Sequence, residues 1–102
     1  MLAEIRVIPL GTGTTSTGAY IAKAIEVLKE HKVKYVLGPF GTSVEVKDFQ
    51  ELAKILDDIK NRLREIGAPR VVFDIAVDAR FDKEITLEYK VETVEKRMKA
   101  KT

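Results

Sequence analysis

The sequence predicts an α+β domain: a four-stranded antiparallel sheet built in the order βαββαβ, with an additional helix at the C-terminus. Three observations carry this prediction. Apolar and polar residues alternate with period two through residues 2–10 and again through 71–78, the mark of strands with one covered face. Apolar residues at helical spacing form three separate stripes. Between the first two stripes, a Gly38-Pro39-Phe40-Gly41 segment separates two short β-type runs, as a hairpin turn does. With 102 residues and 45% hydrophobic content, the chain is expected to form one domain, 1–102, around one core.

In the first segment Ala3, Ile5 and Val7 share one side and Glu4 and Arg6 the other, and Pro9 and Gly11 end the run. A Gly/Thr/Ser stretch over residues 11–18 precedes Ile21, Ala24, Ile25 and Leu28, which recur at i, i+3, i+4 and i+7. A helix is therefore predicted over about 17–31, with Ser16 or Thr17 as its cap. Tyr35, Val36 and Leu37 make a short strand, and residues 42–47 make the next. Asp48 and Glu51 fit a capping box ahead of Phe49, Leu52, Leu56, Ile59, Leu63 and Ile66, one stripe of a long helix that Gly67 and Pro69 stop. Val71, Phe73, Ile75 and Val77 alternate with Val72, Asp74, Ala76 and Asp78 in a fourth strand. After Thr86, residues Leu87, Val91, Val94 and Met98 share the stripe of a last helix, and the tail from Lys99 is expected to fray. This is the split βαβ arrangement of ferredoxin-like domains, with strand order 4-1-3-2. Pro9-Leu10-Gly11-Thr12 recurs as Pro39-Phe40-Gly41-Thr42. The topology brings the end of the first strand, the start of the third and the first helix's N-terminus to one sheet edge, where both motifs are expected to converge.

Charge and composition remove several classes of function. The chain mixes 18 basic with 16 acidic residues, and its net charge of +2 is too small to favour nucleic acid or an anionic membrane. No apolar run approaches the roughly 18 residues of a membrane span. Met1 leads directly into strand-like alternation instead of a basic segment followed by an apolar one, so a cytoplasmic protein is expected. The absence of cysteine excludes disulfides, thiolate metal sites and cysteine nucleophiles, and with them the C-x-x-C metal-carrying branch of this fold. Charged residues make up 33% of the chain while Asn61 and Gln50 are single occurrences, a composition that suits a heat-adapted protein.

The predicted edge gathers the hydroxyls of Thr12, Thr14, Thr15, Ser16, Thr17, Thr42 and Ser43 around a helix N-terminus whose first N–H groups lack intrahelical partners. Such a place can hold a polar ligand or an anion. The same residues also make an ordinary turn and cap, and composition leaves both readings open. No nucleotide motif fits: the Gly13-to-Gly18 spacing is followed by Ala19-Tyr20 instead of lysine and a hydroxyl residue, and Gly11-x-Gly13 continues to Ser16 where a dinucleotide loop has glycine or alanine. No arginine lies in 9–20 to clamp a phosphate, so a phosphate-handling or acyl-phosphate enzyme is the weaker reading and no catalytic residue is expected. The open faces of the central strands carry Glu4, Arg6, Ser43, Glu45 and Lys47 with no aromatic on which bases could stack, which argues against RNA. His31 reads as a solvated helix-terminal residue. Asp74 and Asp78 share a face with Glu4 and Glu45 but have no histidine beside them, so they read as solvent or subunit contacts and not as a metal site. Glu45 is either a strand carboxylate facing Arg6 or Lys47, or an acceptor of two hydrogen bonds from an amidine-like ligand edge. It differs from Thr42 in strand parity, so both reach one ligand only if the loop or a bulge turns one of them. Ile8, Val36, Val72 and Ala76 make the outer sheet face more apolar than a solvated face needs, which predicts self-association.

Beside these readings stands a resemblance. Pro9-x-Gly-Thr, Ser16 with Tyr20-Ile21-Ala22, Gly38-Pro39-Phe40-Gly41-Thr42-x-Val44-Glu45 and Leu87-Glu88-x-Lys90-Val91-x-x-Val94-Glu95 together resemble the small thiamine-binding proteins of ferredoxin-like fold, over nearly the whole chain. The Gly-Pro-x-x-Thr-x-Val-Glu segment is the most specific part, and Val46 stands where the family commonly has glycine. The resemblance implies a non-enzymatic protein that binds thiamine or its hydroxymethylpyrimidine moiety, uses no cofactor, and assembles as a homotetramer, a dimer of dimers. Carried over by position, it implies that Thr42 and Glu45 meet the aminopyrimidine, that Ser16 contributes from the first loop, and that Phe40 or Tyr20 packs against the ring. A carboxylate suits an edge that offers an N–H donor beside a ring nitrogen, and a flat ring wants an aromatic or apolar wall. An oligomeric ligand-sensing regulatory module of ferredoxin-like type is the alternative from another class.

Overall fold

The structure of the protein, a computed structural model, describes residues 1–100. Its elements run β1 (Leu2–Leu10), α1 (Gly18–Glu30), β2 (Tyr35–Leu37), β3 (Thr42–Glu45), α2 (Phe49–Glu65), β4 (Arg70–Asp78) and α3 (Leu87–Ala100). The strands lie in the order β2-β3-β1-β4 with every neighbouring pair antiparallel, so the fold is the ferredoxin-like α+β sheet that the pattern predicts. Lys99 and Ala100 still belong to α3; the rest of the tail expected to fray, 101–102, lies outside the described residues.

Period-two geometry sorts β1 cleanly. Ala3 and Ile5 face inward, paired with Val44 and Thr42 of β3, and are covered by Ala24, Val27 and Leu28 of α1 and by Leu52, Ile55, Ile59 and Leu63 of α2. The buried stripe of α2 thus passes through Ile55, whereas the predicted members Phe49 and Ile66 are 62% and 38% exposed. Spacings of three and four residues from Leu52 keep a side chain over the sheet, while Phe49 and Ile66 lie at the two ends of the helix, beyond the sheet's cover.

Local hydrogen bonds set where the elements stop. β3 ends at Glu45, short of the predicted Lys47, because the Lys47 N–H donates to Glu51 Oε1 at 2.9 Å while the Glu51 N–H donates to Asp48 Oδ1 at 2.9 Å. These are the two arms of the capping box that starts α2. At its other end Gly67 adopts φ +102°, and the Ala68 N–H reaches back to Leu63 O at 3.0 Å, closing the helix as a left-handed glycine allows. The far ends of α1 and α2 are joined by Arg62, bidentate to Glu30 at 2.6 and 3.1 Å, and by His31, which meets Asp58 at 2.6 Å. His31 is therefore a partnered bridge between helices and not the solvated terminal residue that its flanking lysines suggested.

Only the two central helices are packed into the core. No residue of α3 is buried, and the radius of gyration is 15.5 Å against about 13 Å for a compact 100-residue domain.

Candidate functional site

Strand register decides which of the predicted edge residues meet. Thr42 opens β3 opposite Ile5 of β1 and Leu37 of β2. Pro9 and Leu10 lie farther along β1, where it pairs only with β4 through Val71 and Arg70. Both motifs lie toward the same end of the sheet, where Arg6 reaches Phe40 O, but they line separate hollows, the first one bounded by residues 9–15 and the second a cleft on α1. Gly11, at φ +73°, turns against the start of β4 instead, where an added Cβ would lie 2.9 Å from Pro69 Cγ.

The second motif does meet α1. Ile5 and Val7 of β1, Thr17, Ile21 and Ala24 of α1 and the 37–42 turn enclose a cleft of about 210 Å³. The turn is held on both sides. The Gly38 N–H donates to Gly41 O at 2.9 Å, and a Cβ on Gly38 would sit 2.9 Å from that oxygen, so the position requires glycine. From the outer face, Arg6 Nε donates to Phe40 O at 3.2 Å and Arg6 Nη1 pairs with Asp74 at 3.0 Å. Arg6 thus braces the turn instead of facing Glu45. With its backbone fixed, Phe40 belongs to the cleft lining and is 82% exposed.

Thr42 is the buried polar residue of the cleft, 8% exposed. Among the described residues no hydrogen bond engages its hydroxyl, and no buried side-chain polar atom is left without a partner. The oxygen is therefore reachable from the cleft. On the facing wall Thr17 holds the cap position of α1 but makes no side-chain cap bond.

The five residues singled out in the sequence do not all come together. Phe40 and Thr42 line the cleft. Ser16 is exposed and gives its N–H to Thr14 Oγ1 at 3.1 Å, and Tyr20 packs against the hydrophobic core. β3 is regular, without the bulge that would turn one side chain, so Glu45 points to the face opposite Thr42. There its Oε1 accepts the Leu87 N–H at 2.7 Å and anchors the start of α3. Thr17, Ile21 and Ala24 were legible as a lining, being spaced i, i+4 and i+7 on one helix face. What hid them was the register, which alone says that this face looks onto Thr42.

The outer sheet face carries a second, more apolar hollow of about 400 Å³, with Leu2, Val36, Ala76, Leu87 and Val91 in its lining. Of the acidic residues on this face, Asp74 pairs with Arg6 and Asp78, in the lining of the hollow, with Lys90. Among the described residues no group of histidine, cysteine, aspartate and glutamate is arranged to hold a metal ion, and no helix is long and apolar enough to cross a membrane.

Comparison with known proteins gives these features a context. A "UPF0045 protein" of Methanothermobacter thermautotrophicus is 36% identical over 96 residues, covering 94% of this chain and 97% of that one. The "UPF0045 protein YqgV" of Bacillus subtilis is 36% identical over 101 residues, covering 95% and 96%. Among solved structures, MJ1052 of Methanocaldococcus jannaschii superposes with a TM-score of 0.82 at 35% identity, over 92% of this chain and 94% of that one. A Thermotoga maritima protein assigned provisionally to thiamine biosynthesis or salvage superposes with a TM-score of 0.76 at 28% identity, over 91% and 96%. The sequence profile described as "Thiamine-binding protein" matches residues 3–95, and with that span nearly complete, the chain belongs to the thiamine-binding protein family.

Proposed function

We propose that this protein binds thiamine or its hydroxymethylpyrimidine moiety in the cleft between the 38–42 turn and α1, and does not turn it over. The observation that carries the reading is the unengaged Thr42 hydroxyl, nearly buried within the most family-specific segment of the chain. A hydroxyl with no internal partner, open only to the cleft, can exchange the water it meets there for a polar group of a ligand. A cleft of about 210 Å³ is smaller than the roughly 300–1,000 Å³ of drug-sized sites and suits one heterocycle. Phe40 supplies the flat wall, Ser16 lies in the loop before Thr17, and Tyr20 fixes α1 on the core. In this reading Glu45 serves α3 from the other face. Hydroxyls, main-chain N–H groups and apolar side chains offer a ligand contacts but no base to activate a hydroxyl as nucleophile, which favours binding over the acyl-phosphate chemistry that some domains of this fold perform.

Calorimetric titration with thiamine and with hydroxymethylpyrimidine tests the proposal. At least one compound gives saturable heat, a Thr42→Val variant binds it about three- to tenfold more weakly, and a phosphatase screen stays blank. Absence of heat with both compounds overturns the reading. Acyl-phosphate hydrolysis that a change in the 11–17 loop abolishes replaces it with the enzymatic one.

The same protein is proposed to act as a homo-oligomer, a dimer of dimers, in the cytoplasm. The observation behind this is α3: Val91, Val94 and Met98 are 57%, 56% and 65% exposed beside the apolar outer-face hollow.

A further inference from the structure

The sheet has two edges and protects them unequally. β2, at one edge, is three residues long, preceded by Lys34 and followed by Gly38-Pro39, which is how short strands resist further pairing. β4, at the other edge, runs nine residues in unbroken register with β1. It contains no lysine, proline or glycine and no bulge, and among the described residues its backbone pairs only with β1. One side of the strand therefore presents a row of N–H and C=O groups without a protein partner. Val72, Ile75 and Val77 beside it are exposed although apolar.

Such an edge calls for another strand, and the residues of β4 say which. Laid antiparallel against itself about Asp74, the strand sets Val71 opposite Val77, Phe73 opposite Ile75 and Val72 opposite Ala76, each pair on one face, with Arg70 opposite Asp78 at both ends. Among the described residues Arg70 has no partner within its own chain. Asp74 meets its own copy on the axis, where the Arg6 of each protomer, 3.0 Å from its own Asp74, offsets the like charges. Registers centred on Phe73 or Ile75 instead put an aliphatic side chain opposite Asp74 and leave Arg70 without an acid. We infer that two copies of this chain join edge to edge through β4, antiparallel about a two-fold axis at Asp74, merging the four strands of each into one eight-stranded sheet. A contact of this kind closes with two copies, and the protected β2 strands then form both outer edges. The inference is independent of the ligand cleft, and it supplies one of the two contacts that the proposed dimer of dimers needs, α3 being the other.

The lack of cysteine in the chain makes the test direct. Asp74→Cys puts one thiol on the axis, facing its own copy within reach of a disulfide, whereas Asp57→Cys, on the exposed side of α2, meets a second copy only by collision. Under mild oxidation at micromolar concentration the first is expected to form covalent dimer about tenfold or more faster than the second. The same crosslink is expected when Val91→Glu and Val94→Glu are also present, because α3 takes no part in it. Arg70→Glu, which sets two carboxylates together at each end of the pairing, is expected to weaken self-association about tenfold. Equal crosslinking rates for the two thiols overturn the inference. A crosslink abolished by the α3 substitutions assigns the contact to α3 and overturns it as well, and self-association unchanged by Arg70→Glu overturns the self-paired register and the inference with it.

Discussion

Tyr89 shows what one residue acquires from its neighbours. Lys83 donates to its phenol oxygen and stands 4.3 Å from the ring centroid; with smaller contributions from Arg80 and Thr93, the hydroxyl is pulled down from 10.0 to about 8. A depressed acid of this kind contributes stability that is fully present above its unfolded value of about 10 and is lost as pH falls through about 8. Ultraviolet titration should therefore show one tyrosinate phase near pH 8, which Tyr89→Phe deletes and Lys83→Gln moves upward. A single phase near 10 for all tyrosines would contradict this account. Thr42 and its motif were legible in the sequence, but the lack of a protein partner for its hydroxyl was not. A threonine in a strand ordinarily finds a cross-strand partner or solvent, and only the tertiary structure shows that this hydroxyl has no protein partner and opens onto a cleft.

At the scale of elements, Glu45 is the clearest case of a role decided by packing. Parity placed it opposite Thr42, and the absence of a bulge kept it there, so its carboxylate meets the first N–H of α3 instead of an inner-face ligand. A carboxylate at a helix N-terminus satisfies an orphan donor and opposes the helix dipole. The Lys34–Glu88 and Asp78–Lys90 pairs also tie α3 to the sheet and its flank, and exposed pairs of this kind hold little. Glu45→Ala should cost roughly 1 kcal/mol, lowering Tm by about 4–8 °C, with faster amide exchange concentrated in α3. Thiamine affinity measured on the same variant separates the roles: a tenfold loss with Tm unchanged would assign Glu45 to the ligand after all.

For the whole molecule the question is what covers α3 and the outer face. Leu87, Val91, Val94 and Met98 form a stripe at helical spacing, yet nothing in the helix is buried, and Val36 on the adjoining edge strand is 54% exposed. An apolar stripe rimmed by charge and continuous with a sheet face is the anatomy of a subunit contact. Sedimentation velocity at micromolar concentration should give a dimer or tetramer, and Val91→Glu with Val94→Glu should shift it toward monomer while far-ultraviolet circular dichroism stays unchanged. A wild-type monomer under these conditions excludes the assembly.

Alternation in β1 and β4, the capping box at Asp48 and the Gly-Pro turn were enough to give the elements and the helix boundaries to within a residue or two, because each is a local pattern enforced by backbone geometry, while the family came from the resemblance of the Gly-Pro-x-x-Thr-x-Val-Glu segment. The ferredoxin-like topology followed from their order. Tertiary structure decided the rest. Sequence repetition suggested that both Pro-x-Gly-Thr motifs share a site; in the fold the second lines the cleft on α1 and the first a separate hollow of residues 9–15. Register, a long-range choice made by fitting Ile55, Ile59 and Leu63 against the sheet, is invisible to local pattern. It sets Thr17 across from Thr42 and sends Glu45 to α3, so the residues of the candidate site were readable one by one and their grouping was not.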